Sequence, residues 1–428
     1  MTTNFVEELK WRGVLHDMMP GTEEELSKGM ATGYIGFDPT ADSLHVGSLA
    51  QIMTLVRFQQ AGHKPLALVG GATGMVGDPS GKSAERNLLD AETLQRNVDG
   101  IKAQLEKFLD FNCGANSAEL VNNYDWFKNY SFLDFIRDAG KHITVNYMMA
   151  KDSVKNRITG DSGMSFTEFS YQLIQGYDFY YLWKERHCML QMGGSDQWGN
   201  ITTGTEFIRR KAGGEAFALT TQLIKKADGT KFGKSESGNV WLDPAKTSPY
   251  KFYQFWLNTS DEDAKSYIRI FTMLPKDEIE KLEVAQAAAA HERHLQKALA
   301  KDITIRVHSE ADFEQAVATT EFLFKSKTDD LAGMSADALE RMLGGIDTFE
   351  VIAAEITQGI NIIDLLGAKT EVLPSKTEAR KMVQGNAISI NKTKVSDVNA
   401  VVSMQHALQG RYILVSKGKK DNFLIRVV

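Results

Sequence analysis

The chain has 428 residues, of which 43% are hydrophobic and 24% are charged, with 35 Gly, 8 Pro and 2 Cys. This length favours two or three domains, and the composition excludes long disordered, collagen-like and disulfide-rich chains. Neither an apolar run near the roughly 18 residues of a membrane span nor a secretory signal is present, so we expect a cytoplasmic protein that binds no membrane.

Charge is distributed unevenly along the chain. The net charge is −6, yet residues 361–428 carry eleven Lys and Arg against five Asp and Glu, a net of +6, which leaves −12 on the rest. A compact basic segment attached to an acidic body is typical of an anion-binding module. Chance clustering of solvated lysines is the alternative explanation.

The first 225 residues alternate apolar strand-like runs with helical patterns, as parallel α/β sheets do. We predict strands at 34–37, 65–69 and 188–192, and a helix over 49–60. The second and third strands run into glycine pairs, which points to ligand binding at the carboxyl edge of a sheet. Glycines that serve only tight turns would give the same pattern.

The pattern becomes helical after about residue 245. Residues 260–324 are rich in Ala, Glu, Lys and Leu and lack long strand runs, so they predict a helical domain. Residues 370–374 are expected to form a loop or linker. Ser375 then has the pattern of a cap before a short basic helix, which is followed by a strand at 387–391.

Three familiar sites are excluded by their spacing. The segment from Gly77 to Ser83 has three residues between its glycines where a P-loop needs four, and Pro79 removes a backbone donor. The glycines between residues 71 and 77 miss the dinucleotide fingerprint. Cys113 and Cys188 have no Cys or His cluster with which to complete a zinc site, so we predict no protein-bound metal.

Two segments suit a nucleotide polyphosphate. His45, Gly47 and Ser48 lie at the predicted start of a helix, where backbone amides favour phosphate. Lys231 and Lys234 lie three residues apart in a glycine-bearing loop. Each segment alone has an ordinary explanation, as a surface histidine or a solvated turn.

Together, in this order and about 185 residues apart, these segments resemble the two signature motifs of class I aminoacyl-tRNA synthetases. Five further segments resemble the bacterial-type tyrosyl-tRNA synthetases, and the basic tail resembles the S4-like RNA-binding module of that family. These segments are residues 36–45, 69–74, 77–80, 171–178 and 193–200. The resemblance covers almost the whole chain. Ser48 departs from it, because the family's first motif usually ends in a second His.

The resemblance implies an α/β fold in three parts. A Rossmann-like parallel-sheet catalytic domain (1–245) would be followed by an α-helical anticodon-arm-binding domain (246–350) and a small α+β S4-like RNA-binding domain (361–428). It also implies a homodimer, for which the apolar residues 132–149 are our candidate interface.

The implied activity is that of a tyrosine–tRNA ligase, which forms tyrosyl-adenylate from L-tyrosine and ATP and transfers tyrosine to the 3′ end of tRNA(Tyr). ATP with Mg²⁺ would be a substrate, and no tightly bound protein cofactor is implied. The residues that the resemblance assigns to the phosphates and to catalysis are His45, Ser48, Lys82, Arg86, Lys231, Lys234 and Ser235. Thr40 would assist at the phosphates, Gly47 would also bind ATP, and Gly36, Asp38, Gly194 and Asp196 would contact the ribose or adenine. The residues assigned to RNA in the tail are Arg380, Lys381, Lys417, Lys419 and Lys420.

The implied tyrosine pocket also has a chemical rationale. A buried phenol needs both an acceptor and a donor, because an unpaired polar group costs about 1–3 kcal/mol. Asp178 would accept from the substrate hydroxyl and Tyr34 would share it, while the ammonium group would lie among Asp78, Tyr171, Gln175 and Gln197. Without the resemblance, Tyr34 would be interpreted as a core aromatic and the two aspartates as turn residues.

Three other functions share parts of this pattern. A tryptophanyl synthetase shares the fold and both motifs, but Tyr34 with Asp178 and the basic tail favour tyrosine. A small-molecule adenylating ligase would not need a helical domain and a basic tail. An inactive RNA-binding or splicing relative would be indicated by loss of Lys234 or Asp178, and both are present.

Overall fold

The computed structural model describes residues 4–80, 89–158, 163–230, 232–235, 238–418 and 421–428. The chain divides into two compact units. The first runs to Lys246 and resumes from Trp256 to Val307, and the second comprises Thr247–Phe255 and His308–Val428.

A six-stranded sheet, counted over the described residues, forms the centre of the first unit in the order β1-β6-β5-β2-β3-β4. Its strands are β1 (Leu15–Met18), β2 (Thr32–Phe37), β3 (Lys64–Val69), β4 (Glu119–Asn122), β5 (Cys188–Gly194) and β6 (Phe217–Thr221). All neighbours are parallel except β1, which pairs antiparallel with β6. A short hairpin of β7 (Lys234–Ser235) and β8 (Gly238–Asn239) lies apart from this sheet.

Helices cover the sheet and extend from it. Those of the first unit are α1 (Phe5–Trp11), α2 (Thr22–Ser27), α3 (Val46–Gln60), α4 (Ala91–Leu105), α5 (Tyr124–Phe127), α6 (Phe132–Phe135), α7 (Val145–Met149), α8 (Asp152–Ile158), α9 (Phe166–Arg186) and α10 (Trp198–Ala212). The chain continues through α11 (Pro249–Leu257), whose residues are shared between the units, to α12 (Asp261–Phe271), α13 (Lys276–Ala288) and α14 (His294–Val307).

The predicted strands and helices of this unit are confirmed. β3 is buried from Pro65 to Val69, as expected for a parallel strand covered on both faces. Residues of α3 are buried on most sides, because the helix packs between the sheet and other helices. The predicted helical segment 260–324 is also confirmed, and Ser260 caps α12 by accepting from the amide of Asp263 at 3.0 Å.

The second unit combines helices with a five-stranded sheet in the order β12-β11-β14-β15-β9, counted over the described residues. Its further helices are α15 (Glu310–Lys325), α16 (Thr328–Ala332), α17 (Ala336–Leu343), α18 (Ala353–Gln358), α19 (Ile362–Asp364) and α20 (Lys376–Gln384). Its strands are β9 (Asp347–Val351), β10 (Ile360–Asn361), β11 (Ile388–Ile390), β12 (Thr393–Val395), β13 (Val401–Val402), β14 (Tyr412–Lys417) and β15 (Asp421–Val427).

Local signals in the tail are confirmed as well. Ser375 accepts a hydrogen bond from the amide of Glu378 at 3.2 Å and caps α20, and the predicted strand at 387–391 is β11. β9 pairs in parallel with β15, so the sheet of the tail includes residues that precede position 361. Buried side chains of α18 to α20 and of the strands, such as Leu366, Val383 and Ile413, form a separate core.

Candidate active site

A cavity of about 350 Å³ opens where β2 and β5 end side by side. The chain leaves β2 towards β3 on one side and β5 towards β6 on the other, so this is the switch point of the sheet, where α/β folds bind ligands. The predicted residues that line it are Tyr34, Gly36, Asp38, Thr40, His45, Gly47, Ser48, Asp78, Tyr171, Gln175, Asp178, Gly194, Asp196 and Gln197.

Asp178 is the most buried carboxylate of this cavity, with 1% of its surface exposed. Its oxygens accept hydrogen bonds from Trp126 Nε1 at 2.8 Å and from Asn123 Nδ2 at 3.0 Å. Burial raises the pKa of Asp178 to about 8, while the two donors oppose that rise. The two donors therefore hold this carboxylate in place as an acceptor.

Tyr34 is buried in the same cavity and packs edge-to-face on Phe179, with ring centroids 5.5 Å apart. Burial, followed by the charge of Asp178, raises the pKa of Tyr34 well above its ordinary value, so the hydroxyl stays protonated. Its oxygen has no hydrogen-bond partner among the described residues. A buried hydroxyl of this kind is suited to a polar group on a ligand.

A second carboxylate, Asp38, follows β2 directly. It accepts from Tyr171 Oη at 2.8 Å and from Thr73 Oγ1 at 2.7 Å. Asn123 Nδ2 also reaches Thr73 Oγ1 at 3.1 Å, so Asp38 and Asp178 are linked through one hydrogen-bond network. This network fixes the loop after β2 against α9.

Asp78, a third carboxylate that lines the cavity, is held by amides. Gln197 Nε2 donates to it at 2.7 Å, and the backbone amide of Ser80 donates at 2.9 Å. The Oε1 atom of Gln175 is buried with no partner among the described residues. A carboxylate and an amide oxygen near a phenol-sized pocket suit a substrate ammonium group, which has only donors.

His45 forms the start of α3. Its Nδ1 accepts from the amide of Gly47 at 3.0 Å, and its ring packs edge-to-face on Trp241 at 6.0 Å. A Cβ on Gly47 would lie 2.6 Å from His45 Cε1, so only glycine leaves the imidazole in this position. The imidazole, the start of the helix and Ser48 thus face the cavity together.

The two signature motifs are in contact through Val240. Its amide donates to the carbonyl of Gly233 at 3.2 Å, and its carbonyl accepts from the amide of Val46 at 2.9 Å. Gly233 has φ +87°, and a Cβ there would lie 3.5 Å from the amide nitrogen of Gly47. Segments about 185 residues apart therefore meet beside the start of α3.

Some predicted residues cannot be placed. Lys82, Arg86, Lys231, Lys419 and Lys420 lie outside the described residues, and of Lys234 and Ser235 only the backbone, in β7, is described. In the tail, Arg380 and Lys381 are exposed on α20, and Lys417 lies 3.9 Å from Asp421.

Four residues of the site were not predicted: Thr73, Asn123, Trp126 and Gln191. Gln191 lies on β5, lines the cavity and is 2% exposed, with an unpartnered Oε1 among the described residues. Asn123 could have been found as the polar residue that follows β4, had that short strand been recognised. Nothing in the sequence near Trp126 indicates its contact with Asp178.

Comparison with known proteins accounts for this arrangement. Residues 27–325 match the family model of class I tRNA synthetases for tryptophan and tyrosine, and residues 340–425 match the C-terminal domain of tyrosine–tRNA ligases. The chain belongs to the class I tyrosyl and tryptophanyl tRNA synthetase family. The resemblance drawn from the motifs is confirmed.

Individual relatives cover the chain from end to end. The tyrosine–tRNA ligase of Cytophaga hutchinsonii is 62% identical over 426 residues, 99% of each chain, and that of Porphyromonas gingivalis is 61% identical over 428 residues, 99% of this chain and 100% of the relative. A C-terminally truncated mitochondrial tyrosyl-tRNA synthetase of Aspergillus nidulans superposes with a TM-score of 0.68 at 30% identity, covering 75% of this chain and 94% of that one. The predicted parallel-sheet synthetase fold is confirmed.

The described residues contain neither a membrane-spanning helix nor a cluster of metal ligands. No helix there is long and apolar enough to cross a bilayer. No group of three or more His, Cys, Asp or Glu there could hold a metal ion.

Proposed function

We propose that this synthetase is a tyrosine–tRNA ligase, which activates L-tyrosine with ATP and transfers it to the 3′ end of tRNA(Tyr). One observation carries the amino-acid assignment. The Asp178 carboxylate and the unpartnered Tyr34 hydroxyl line the same buried cavity. The hydroxyl of a phenol that enters this cavity would donate a hydrogen bond to Asp178 and accept one from Tyr34, so both groups would be satisfied. The indole of tryptophan has one donor and no acceptor, so it would leave Tyr34 unsatisfied.

The first half-reaction needs positioning and charge stabilisation rather than a covalent enzyme intermediate. The tyrosine carboxylate attacks the α-phosphorus of ATP, the bond to the β-phosphate oxygen breaks, and pyrophosphate leaves. His45 and the start of α3 would hold the phosphates, with Lys231, Lys234 and Ser235 of the second motif and with Lys82 and Arg86. Ser48 can donate a hydrogen bond there but cannot carry charge.

The ribose and adenine of ATP would lie against the carboxyl ends of β2 and β5 and the loops that follow them. Gly36, Asp38, Gly194 and Asp196 are proposed for the ribose and adenine, where small residues let the ligand approach the backbone. Thr40 is proposed to assist at the phosphates, and Gly47 is proposed to let the ligand come close to the start of α3. Mg²⁺ is proposed to arrive with ATP, bound mainly by phosphate oxygens and water, because such sites seldom use an all-protein cage.

The tail would bind tRNA. Arg380 and Lys381 are exposed on one short helix, and the segment 361–428 carries a net charge of +6. Phosphate contacts dominate nucleic-acid affinity. Lys417, Lys419 and Lys420 are proposed to add to this surface, and the three-part division at 245, 350 and 361 stays a prediction.

A homodimer is proposed through the residues around α6 and α7. Phe132, Leu133 and Val145 are 66%, 71% and 62% exposed. Large exposed apolar side chains within one short stretch of chain are typical of a protein interface.

The amino acid is tested by ATP–pyrophosphate exchange with each of the twenty amino acids. We expect exchange with tyrosine and little with phenylalanine or tryptophan. Exchange driven mainly by tryptophan would contradict the pocket assignment, and absence of exchange with every amino acid would contradict the enzymatic function.

A further inference from the structure

Two buried arginines hold the C-terminal end of α12. Arg12, at the end of α1, donates from Nη1 to the carbonyl of Arg269 at 2.8 Å and from Nη2 to that of Leu274 at 2.8 Å. Arg57, in the last turn of α3, donates from Nη2 to Ile270 at 2.6 Å and to Thr272 at 2.9 Å. Carbonyls that α12 leaves without helical partners are satisfied in this way.

Burying the Arg57 guanidinium between α3 and α12 costs free energy. Arg57 is 3% exposed, and its Nε and Nη1 have no hydrogen-bond partner among the described residues. Arg12 has a carboxylate partner, Glu8, at 2.5 Å, whereas the hydrogen bonds that Arg57 donates go to backbone carbonyls at the C-terminal end of α12, where the helix dipole favours a cation. Burial and the nearby charge of Arg12 lower the pKa of Arg57 to about 9. A packed apolar side chain would cost less free energy, so stability alone does not account for the arginine.

The C-terminal turns of α12 also contact the second signature motif, through Phe232. Phe232, which follows Lys231 in the chain, stacks on Phe271 with ring centroids 5.1 Å apart and meets Tyr267 edge-on at 5.0 Å. Both partners belong to the last two turns of α12, next to the carbonyls that the arginines bind. The position of α12 therefore sets the position of Phe232, and through it that of the loop that carries the second signature motif.

The first signature motif is tied to the same arginines through α3. His45 caps the N-terminus of this helix, and Arg57 lies 12 residues further on, roughly 18 Å along the axis at 1.5 Å per residue. A helix of this length with both ends fixed is a rigid spacer. The first and second signature motifs are thus connected by α3, the two arginines and α12 in turn.

We infer that Arg12 and Arg57 are positioning residues for adenylate formation, which act by fixing α12 and, through Phe232, the lysine-bearing loop. This inference rests on the proposed function. Neither arginine touches the cavity, so their removal should displace the loop and leave the tyrosine pocket unchanged.

The test compares wild type, Arg57→Met and Arg57→Lys by rapid-quench measurement of tyrosyl-adenylate formation. We expect Arg57→Met to lower the rate constant at saturating ATP by about tenfold to a hundredfold, because small displacements of reacting groups are that costly. Tyrosine affinity should change less than twofold, and Arg57→Lys should recover part of the rate. In a Phe232→Ala background the further effect of Arg57→Met should be small, since the route to the loop is already broken.

Loss of stability is separated from loss of position by a matched control. Leu105→Ala removes a fully buried side chain of α4 in the same unit and should lower Tm without lowering the rate constant. If Arg57→Met does not fold, Arg12→Gln serves instead. A normal rate constant in the arginine variants, or an equal loss with and without Phe232, would overturn the inference. Absence of adenylate with the wild type would instead refute the proposed function.

Discussion

At the scale of single residues, the chemistry of the pocket depends on Asp178. The two atoms that bind it, Asn123 Nδ2 and Trp126 Nε1, can only donate, so they favour the ionised carboxylate. Burial outweighs them and raises the pKa to about 8. The protonated acid would have to place its own proton where two donors already lie, and it would accept more weakly from a phenol than the carboxylate does. The ionised form is therefore the one that should bind tyrosine.

A pH dependence follows for Asp178. We expect kcat/KM for tyrosine to rise with pH through about 8 as the free enzyme ionises, and we expect Asp178→Asn to lose both this rise and most activity. Pyrophosphate exchange measured from pH 6.5 to 9.5 provides the profile. A profile that is flat across this range in the wild type would contradict the assignment of the acceptor.

The same shift has a consequence for stability. Because the folded pKa of Asp178 lies above the unfolded value, its contribution is fully present below about pH 4 and is lost as pH rises through about 8. Asp178→Asn should therefore show a smaller decrease in Tm between pH 6 and 9 than the wild type. Equal decreases in both proteins would show that Asp178 is already ionised at neutral pH.

Tyr34→Phe should weaken discrimination against phenylalanine. One neutral hydrogen bond contributes about 0.5–1.5 kcal/mol, which corresponds to roughly twofold to tenfold in the ratio of kcat/KM for tyrosine and phenylalanine. The KM for ATP serves as the internal control and should stay unchanged, since Tyr34 lies at the base of β2 rather than near the motifs. An unchanged ratio would mean that the phenol does not bind there.

At the scale of elements, the site depends on contacts between segments that are distant in the chain. Val240 joins the two motifs through its backbone alone, with its amide bound to Gly233 and its carbonyl bound to the amide of Val46. The side chain of Val240 is buried but takes no part in these bonds. Backbone and side-chain effects can therefore be separated at this position.

Val240→Pro removes the amide that binds Gly233, and Val240→Ala keeps it. We expect Val240→Pro to slow tyrosyl-adenylate formation at least tenfold with little change in tyrosine affinity, because the loop loses its attachment to the start of α3. Val240→Ala should lower Tm but leave the rate close to the wild type. Similar rates in the two variants would show that the backbone bond does not position the loop.

The sequence predicted the regular elements better than their contacts. Strands β2, β3 and β5 and helix α3 were predicted because apolar runs and helical spacing are local signals, and Asp178 and Tyr34 because the motifs are recognisable. Asn123 and Trp126 bind Asp178 across 55 and 52 residues, and the short β4 before them has no clear alternation. The link through Val240 was missed because two-residue strands leave no periodic pattern.

At the scale of the whole molecule, charge is divided unequally between the part of the chain that carries the two motifs and the basic tail. The motifs for adenylate formation all precede residue 236, whereas the +6 segment begins at 361 and the remaining chain carries −12. Deleting residues 361–428 would be an unclear test, because β9 pairs with β15 and would lose its neighbour in the sheet. Reversing surface charges in the full chain leaves the pairing of β9 with β15 intact.

The double variant Arg380→Glu/Lys381→Glu should keep tyrosine-dependent pyrophosphate exchange and lose most tRNA charging at moderate salt. Both side chains are exposed on α20, so folding should be little affected. Removing two phosphate contacts should also reduce the slope of log affinity against log salt by about 2. Lys107→Glu/Lys281→Glu changes the net charge equally at two exposed sites of the first unit and should charge tRNA almost normally. Equal losses in the two double variants would mean that tRNA responds to the overall charge of the protein, and normal charging by the tail variant would show that α20 does not bind tRNA.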